Sequence, residues 1–134
     1  MSQENVELLR RGYEHFERTG ELLRESCHPD LVWDTTTFAA GGLLLGKCVG
    51  VDEANRWLAR WIEGFEEWSL DVEELLDLGD QVIAFVRQRA KAPHGGPEVE
   101  MRLAQVWTFR SGLVERMEMY LDRAEALKAA GLLE

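Results

Sequence analysis

Residues 98–121 read EVEMRLAQVWTFRSGLVERMEMYL. Two runs rich in Val, Leu, Met, Trp and Phe, interspersed with polar residues, flank Ser111-Gly112. That is the composition of two antiparallel strands joined by a tight turn. Upstream, Gln81 to Ala92 reads as a further strand, separated from the hairpin by the turn cluster Pro93-His94-Gly95-Gly96-Pro97. Before it, Trp68 to Leu76 is another, closed by Asp77-Leu78-Gly79-Asp80. Downstream, Asp122 with Glu125 three residues on forms a capping box and opens a last helix that stops at Gly131.

The first half of the chain is helical in pattern. Val6, Leu9, Tyr13 and Phe16 recur at spacings of three and four, one face of a helix with Ser2 as N-cap and Gly20 as its stop. Glu21 to Cys27 predicts a second short helix, which the proline of His28-Pro29-Asp30 ends. Leu31 to Phe38 is rich in β-branched and aromatic residues and predicts a strand. The glycine-rich segment Ala39 to Gly50 predicts a mobile flap. Asp52 then caps a third helix in which Trp57, Trp61 and Phe65 follow at i, i+4 and i+8. Helices followed by a run of long antiparallel strands define an α+β fold, and long twisted strands that curl over helices leave a tapered cavity.

Bulk properties narrow the function. At 134 residues the chain is one domain, 1–134, with 46% hydrophobic and 9% aromatic residues. A net charge of −10, from 25 acidic and 15 basic residues, repels phosphate backbones and anionic lipid surfaces. Partners are therefore expected to include neither nucleic acid nor membrane. No segment has the length and apolarity of a membrane span or the pattern of a signal peptide, so the expected location is the cytoplasm. Cys27 and Cys48 lie in no metal-ligand spacing, and His15, His28 and His94 are scattered, so neither a metal nor another cofactor is expected. Gly41 to Lys47 matches the start of a phosphate-binding loop, but Cys48 stands where Ser or Thr should follow and no helix begins immediately, which makes the match a coincidence.

Three stretches carry a family resemblance: the entry His28-Pro29-Asp30-Leu31-Val32-Trp33, the hairpin Val106-Trp107-Thr108-Phe109…Gly112-Leu113-Val114, and the closing run Tyr120 to Gly131. Together with the element order they resemble the nuclear-transport-factor-2-like superfamily. The closing run resembles its SnoaL-like branch, which takes its name from a polyketide cyclase and lies close to the ketosteroid isomerases. The resemblance implies a cone-shaped, curved antiparallel sheet wrapped around the N-terminal helices, with an internal apolar pocket. It also implies a homodimer paired through the sheet face that the helices leave uncovered.

The resemblance proposes site residues. Ketosteroid isomerases of this fold use a first-helix tyrosine, a first-strand aspartate as base and a protonated aspartate as oxyanion donor. Aligned on this chain, Tyr13 takes the tyrosine position, Gln105 that of the oxyanion donor, and Thr35 that of the base. Asp34 sits one residue away and reaches the pocket only where a bulge shifts the strand register. Asp122 matches the acid/base aspartate of the cyclases, and equally explains itself as a helix cap. The limonene-epoxide-hydrolase branch is excluded, because Met119 stands where its aspartate is needed.

Carried through the hairpin, the same match places Gln105, Trp107 and Phe109 on one strand face, and Met117, Met119 and Leu121 on one face of the next. With Phe16, Trp33, Thr35, Trp57 and Trp61 these line a pocket for a small hydrophobic molecule, or else simply fill the core. Arg87, Arg89 and Arg102 are expected to pair with acids such as Glu98 and Glu100 on a solvated face. Three readings follow. One is a cofactor-independent isomerase, cyclase or dehydratase with Tyr13 and Gln105 polarising a carbonyl and Asp34 or Asp122 as base. The others are a non-catalytic binding domain for an apolar ligand and a dimeric association module.

Overall fold

A computed structural model describes residues 2–36 and 46–132. Three α-helices, α1 (Ser2–Thr19), α2 (Val51–Glu63) and α3 (Arg123–Ala129), accompany six strands. The strands are β1 (Cys27–Asp34), β2 (Lys47–Val49), β3 (Glu67–Asp77), β4 (Gln81–Lys91), β5 (Glu98–Arg110) and β6 (Leu113–Tyr120). They form one curved, unclosed sheet in the order β2-β1-β6-β5-β4-β3. All neighbours are antiparallel except β1 and β6, which run parallel, so the sheet is mixed. The parallel pair arises because β1 is laid down before α2 and the four-strand meander β3-β4-β5-β6 that leads back to it, and such a return needs a long crossover.

Local signals explain most element ends. Gly20 adopts φ 77° and its N–H reaches the Phe16 carbonyl at 2.7 Å, closing α1 with a left-handed residue. Ser111 and Gly112 both have positive φ, at 54° and 78°, the twist that lets β5 and β6 stay paired across a two-residue turn. Asp122 accepts a hydrogen bond from the Ala124 N–H at 2.7 Å and caps α3. Three expectations shift. The short helix at 21–27 shrinks to a 3₁₀ turn at Arg24–Ser26, because Cys27 already enters β1, four residues ahead of the expected Leu31. The cap position of α2 is Gly50, not Asp52, whose carboxylate instead holds Arg24 at 2.5 Å. The segment read as a flap contains β2, paired with β1 from Val32 to Asp34; Phe38 and the rest of that segment up to residue 45 lie outside the described residues.

The sheet divides the molecule into two layers. On its concave side Leu31, Trp33, Val82, Ala84, Val86, Leu103, Trp107, Phe109, Val114, Met117 and Met119 pack with Leu9 of α1 and Ala54, Trp57 and Leu58 of α2. On the other side Ile83, Phe85, Ala104, Val106 and Tyr120 pack with Ala126 of α3. The convex side is thus not left uncovered as expected; α3 lies over Ile83 and Phe85 of β4, Ala104 and Val106 of β5 and Tyr120 of β6. Where α3 does not reach, the face is charged. Arg87 and Arg89 bind Asp71 at 3.2 and 3.0 Å, and Arg102 binds Glu73 at 3.1 Å. The arginines therefore sit on the charged face as expected, with Asp71 and Glu73 of β3 as the nearest acids and Glu100, but not Glu98, also paired with Arg87 at 3.7 Å and Arg102 at 3.8 Å.

Candidate binding cavity

Between α1, α2 and the concave sheet lies a narrow apolar cavity. Its walls come from Leu8, Leu9, Gly12, Tyr13 and Phe16 of α1, from Leu22, Leu23, Ser26 and Cys27, and from Trp57, Leu58 and Trp61 of α2. The sheet contributes Trp33, Trp68, Leu70, Gln88, Gln105, Trp107, Val114 and Met119. All five tryptophans of the chain are among them. Their rings lock one another: Trp57 and Trp61 stack with planes 7° apart and centroids at 5.8 Å, the geometry that an i, i+4 pair on a helix permits. Trp33 meets Trp57 at 6.1 Å and the edge of Trp107 at 5.8 Å. A wall of interlocked aromatic rings keeps its shape when nothing fills the space, since no ring can turn without moving its neighbour.

Two hydrogen-bond groups cross this apolar wall. Trp107 Nε1–H donates to the Tyr13 hydroxyl at 3.1 Å, and that hydroxyl donates to Gln105 Oε1. Trp61 and Trp68 both donate their indole N–H to Gln88 Oε1, at 2.8 and 2.7 Å. Gln88 and Gln105 are each 6% exposed. Burial pushes the Tyr13 hydroxyl well above its ordinary pKa, against a smaller opposing effect of the Trp107 N–H, so it stays protonated. Burial likewise raises the Cys27 thiol, with Ser26 and Arg24 opposing, and the thiol stays unionised near neutrality. No Asp, Glu, His, Lys or Arg occurs among the described lining residues.

The structure brings Tyr13, Phe16, Trp33, Trp57, Trp61, Gln105, Trp107 and Met119 to this cavity, and sets Asp34, Thr35, Asp122 and Met117 off it. Register explains Asp34. The pairing of β1 with β6 is irregular between Cys27 and Val32, but from Val32 to Asp34 it is regular, with Trp33 beside Met117 and Asp34 beside Glu118. Trp33 therefore faces inward and Asp34 outward. There the Asp34 carboxylate pairs with Arg116 and accepts from the Thr36 N–H at 2.9 Å and its hydroxyl at 2.6 Å. Burial alone pulls the Asp34 pKa upward; the Thr36 donors, Arg116 and Lys47 outweigh it and hold the carboxyl below the usual range. Beside this pair the Tyr120 hydroxyl donates to Glu118 at 2.9 Å, and burial together with that carboxylate pushes its pKa up to about 12.

Thr35 is wholly buried, with its hydroxyl and N–H both on the Gly46 carbonyl at 3.0 and 2.8 Å. Met117 is a core residue under Trp33. Asp122, exposed, is the α3 cap described above, and Leu121 is 42% exposed. Sequence reasoning missed Gln88 and Trp68. The apolar run Val82-Ile-Ala-Phe-Val86 is buried on both faces, so its pattern names no inner side. Strand pairing does: Ala84 lies opposite Gln105, which puts 82, 84, 86 and 88 on the cavity face.

Comparison with known proteins agrees with this architecture. None of the curated proteins matches the chain. TerC, co-crystallised with polyporic acid, superposes with a TM-score of 0.76 at 24% identity, over 93% of this chain and 96% of TerC. A nuclear-transport-factor-2-like protein from Burkholderia thailandensis gives a TM-score of 0.76 at 23% identity over 97% of both chains. A SnoaL-like polyketide cyclase homologue from Jannaschia sp. CCS1 gives 0.72 at 21% identity, covering 96% of this chain and 92% of that one. These likenesses establish the nuclear-transport-factor-2-like fold. Residues 9–117 match the family model of the SnoaL-like domain, and the chain belongs to that family.

Proposed function

We propose that this SnoaL-like chain binds a neutral, apolar aromatic small molecule and holds it without proton-transfer chemistry. A fold of this family is compatible with cyclases and isomerases. The observation that carries the reading is the lining itself: five tryptophans and no described carboxylate, imidazole or amine. General acid–base catalysis needs a group that exchanges a proton near the working pH within hydrogen-bond reach of the substrate. Tyr13 and Cys27, the ionisable groups among the described lining residues, are both pushed the wrong way for a base. Asp34 is committed to Arg116 across the sheet and Asp122 to the α3 N-terminus. The ligand contacts proposed are the aromatic walls, Phe16, Trp33, Trp57, Trp61 and Trp107, with Met119. That TerC was crystallised with a small molecule, polyporic acid, supports a small-molecule role for this cavity as well.

The test pairs binding with catalysis. Titration with tetralin should quench tryptophan emission saturably at one site, with an affinity flat from pH 5 to 9 because no described lining group titrates there. In D₂O the protein should not accelerate exchange of the C2 protons of 1-tetralone. Accelerated exchange that is lost in Asp34→Asn or Asp122→Asn overturns the reading in favour of an enzyme.

A further inference from the structure

We infer that the cavity selects ligands by hydrogen-bond polarity: it takes a neutral aromatic molecule that carries a carbonyl-type oxygen, held by the side-chain amides of Gln88 and Gln105. The inference rests on the binding reading above and adds the ligand's polar group. A glutamine amide has an accepting oxygen and a donating NH₂ group. Both oxygens are committed inside the protein, Gln88 Oε1 to two indole N–H groups and Gln105 Oε1 to the Tyr13 hydroxyl. The bonding partners also fix which end is which, because an indole N–H only donates.

That leaves both NH₂ groups facing the problem of satisfaction. Both glutamines are more than nine-tenths buried and line the cavity, and no described group accepts from either Nε2. Trp33 adds a donor of the same kind: it lines the cavity at 1% exposure, and its Nε1–H has no acceptor. The Trp33 N–H is a buried donor without a partner, which is costly, whereas the two amide nitrogens are open to the cavity; an acceptor supplied by the ligand relieves the first and engages the others. The remaining accepting capacity of the two clusters is a second lone pair on the Tyr13 oxygen and on Gln105 Oε1, each already engaged. The unspent polar groups of the two clusters are therefore donors. Because no cation stands among the described lining residues, an anionic ligand would lose its hydration without a counter-charge, whereas a ketone or quinone oxygen loses little.

Matched probes test this. The affinity of 1-tetralone should exceed that of tetralin by about tenfold, the effect of one well-made hydrogen bond in a dry site. Gln88→Glu and Gln105→Glu keep the oxygen that accepts from the indoles or from Tyr13 and replace NH₂ by a second oxygen. In at least one of these variants the tetralone-to-tetralin ratio should fall to about one or below. Gln88→Met and Gln105→Met serve as uncharged counterparts, with thermal unfolding to confirm that each variant folds. Equal affinities for the two probes, or a ratio unchanged in all four variants, overturns the inference while leaving the binding reading intact. Failure of both probes to bind the parent protein overturns the binding reading itself.

Discussion

The two faces of the sheet handle polarity in opposite ways. On the concave face, polar atoms are neutral and few: two glutamines, a tyrosine and three indole N–H groups tied into two short hydrogen-bond clusters, and the Trp33 N–H outside them. On the convex face the same strands carry Asp34, Arg87, Arg89, Arg102, Arg116 and Glu118 in ion pairs. The difference follows from dielectric surroundings. A charge on the concave side would lose its hydration inside an aromatic box, so that side keeps dipoles. On the convex side Arg89 and Arg102 remain in water and Arg87 is half-buried, while Asp34 is drawn below the surface, where it needs Arg116 and two Thr36 donors to stay ionised. The comparison teaches that a carboxylate in the first strand is no evidence of a catalytic base until its face is known.

The contrast can be broken by mutation, and the largest effect belongs to the buried ion pair. Asp34→Ala removes the acceptor of the Thr36 N–H and hydroxyl, leaves the part-exposed Arg116 with Glu118 as its remaining partner, and should lower stability by about 2 kcal/mol in urea unfolding at pH 7. Tetralin affinity should not change. A lost affinity at intact fold would mean that Asp34 serves the cavity after all. The pH dependence sharpens the point. Because the Asp34 carboxyl is held below its ordinary value, its stabilisation is complete above the unfolded pKa and fades as pH falls through the lower folded one. The gap between parent and Asp34→Ala should therefore be constant above about pH 5 and close below about pH 4.

Next comes the concave network. Tyr13→Phe removes the acceptor of the Trp107 N–H and the donor to Gln105, and should cost about 1–2 kcal/mol. It also frees Gln105 Oε1, so the preference for 1-tetralone over tetralin should weaken as the amide becomes able to turn; a strengthened preference would contradict the donor-only account. The smallest effect is expected for Arg102→Ala on the exposed ladder, where water replaces the lost partner. Its urea midpoint should match the parent within error, and a clear drop would show that the convex face is less solvated than its exposure indicates.

Much of this was legible in the residues. The turn Ser111-Gly112, the stop at Gly20, the cap at Asp122 and the i, i+4 tryptophans of α2 are local signals, and local signals survive without knowledge of neighbours. The alternation Trp33, Asp34, Thr35 likewise dictated that Asp34 and Trp33 take opposite faces of one strand. What sequence could not settle was which pair faced inward, because that depends on where β1 meets β6. The irregularity between Cys27 and Val32 lies upstream of Asp34, so no bulge restores the carboxylate to the cavity.

Tertiary structure alone decided the rest. It took Gln88, just past an apolar run that reads the same on both sides, and set its oxygen under two indoles, from α2 and β3, that are 27 and 20 residues away. It joined β1 to β6 in parallel across more than eighty residues, as in the pairing of Trp33 with Met117. It also placed α3 over the convex face that sequence reasoning had left bare. Sequence determines what each short stretch prefers, through backbone sterics, caps and side-chain period. The chemistry of the cavity depends on which ends of polar groups are already spent, and that is fixed only when distant strands come into register.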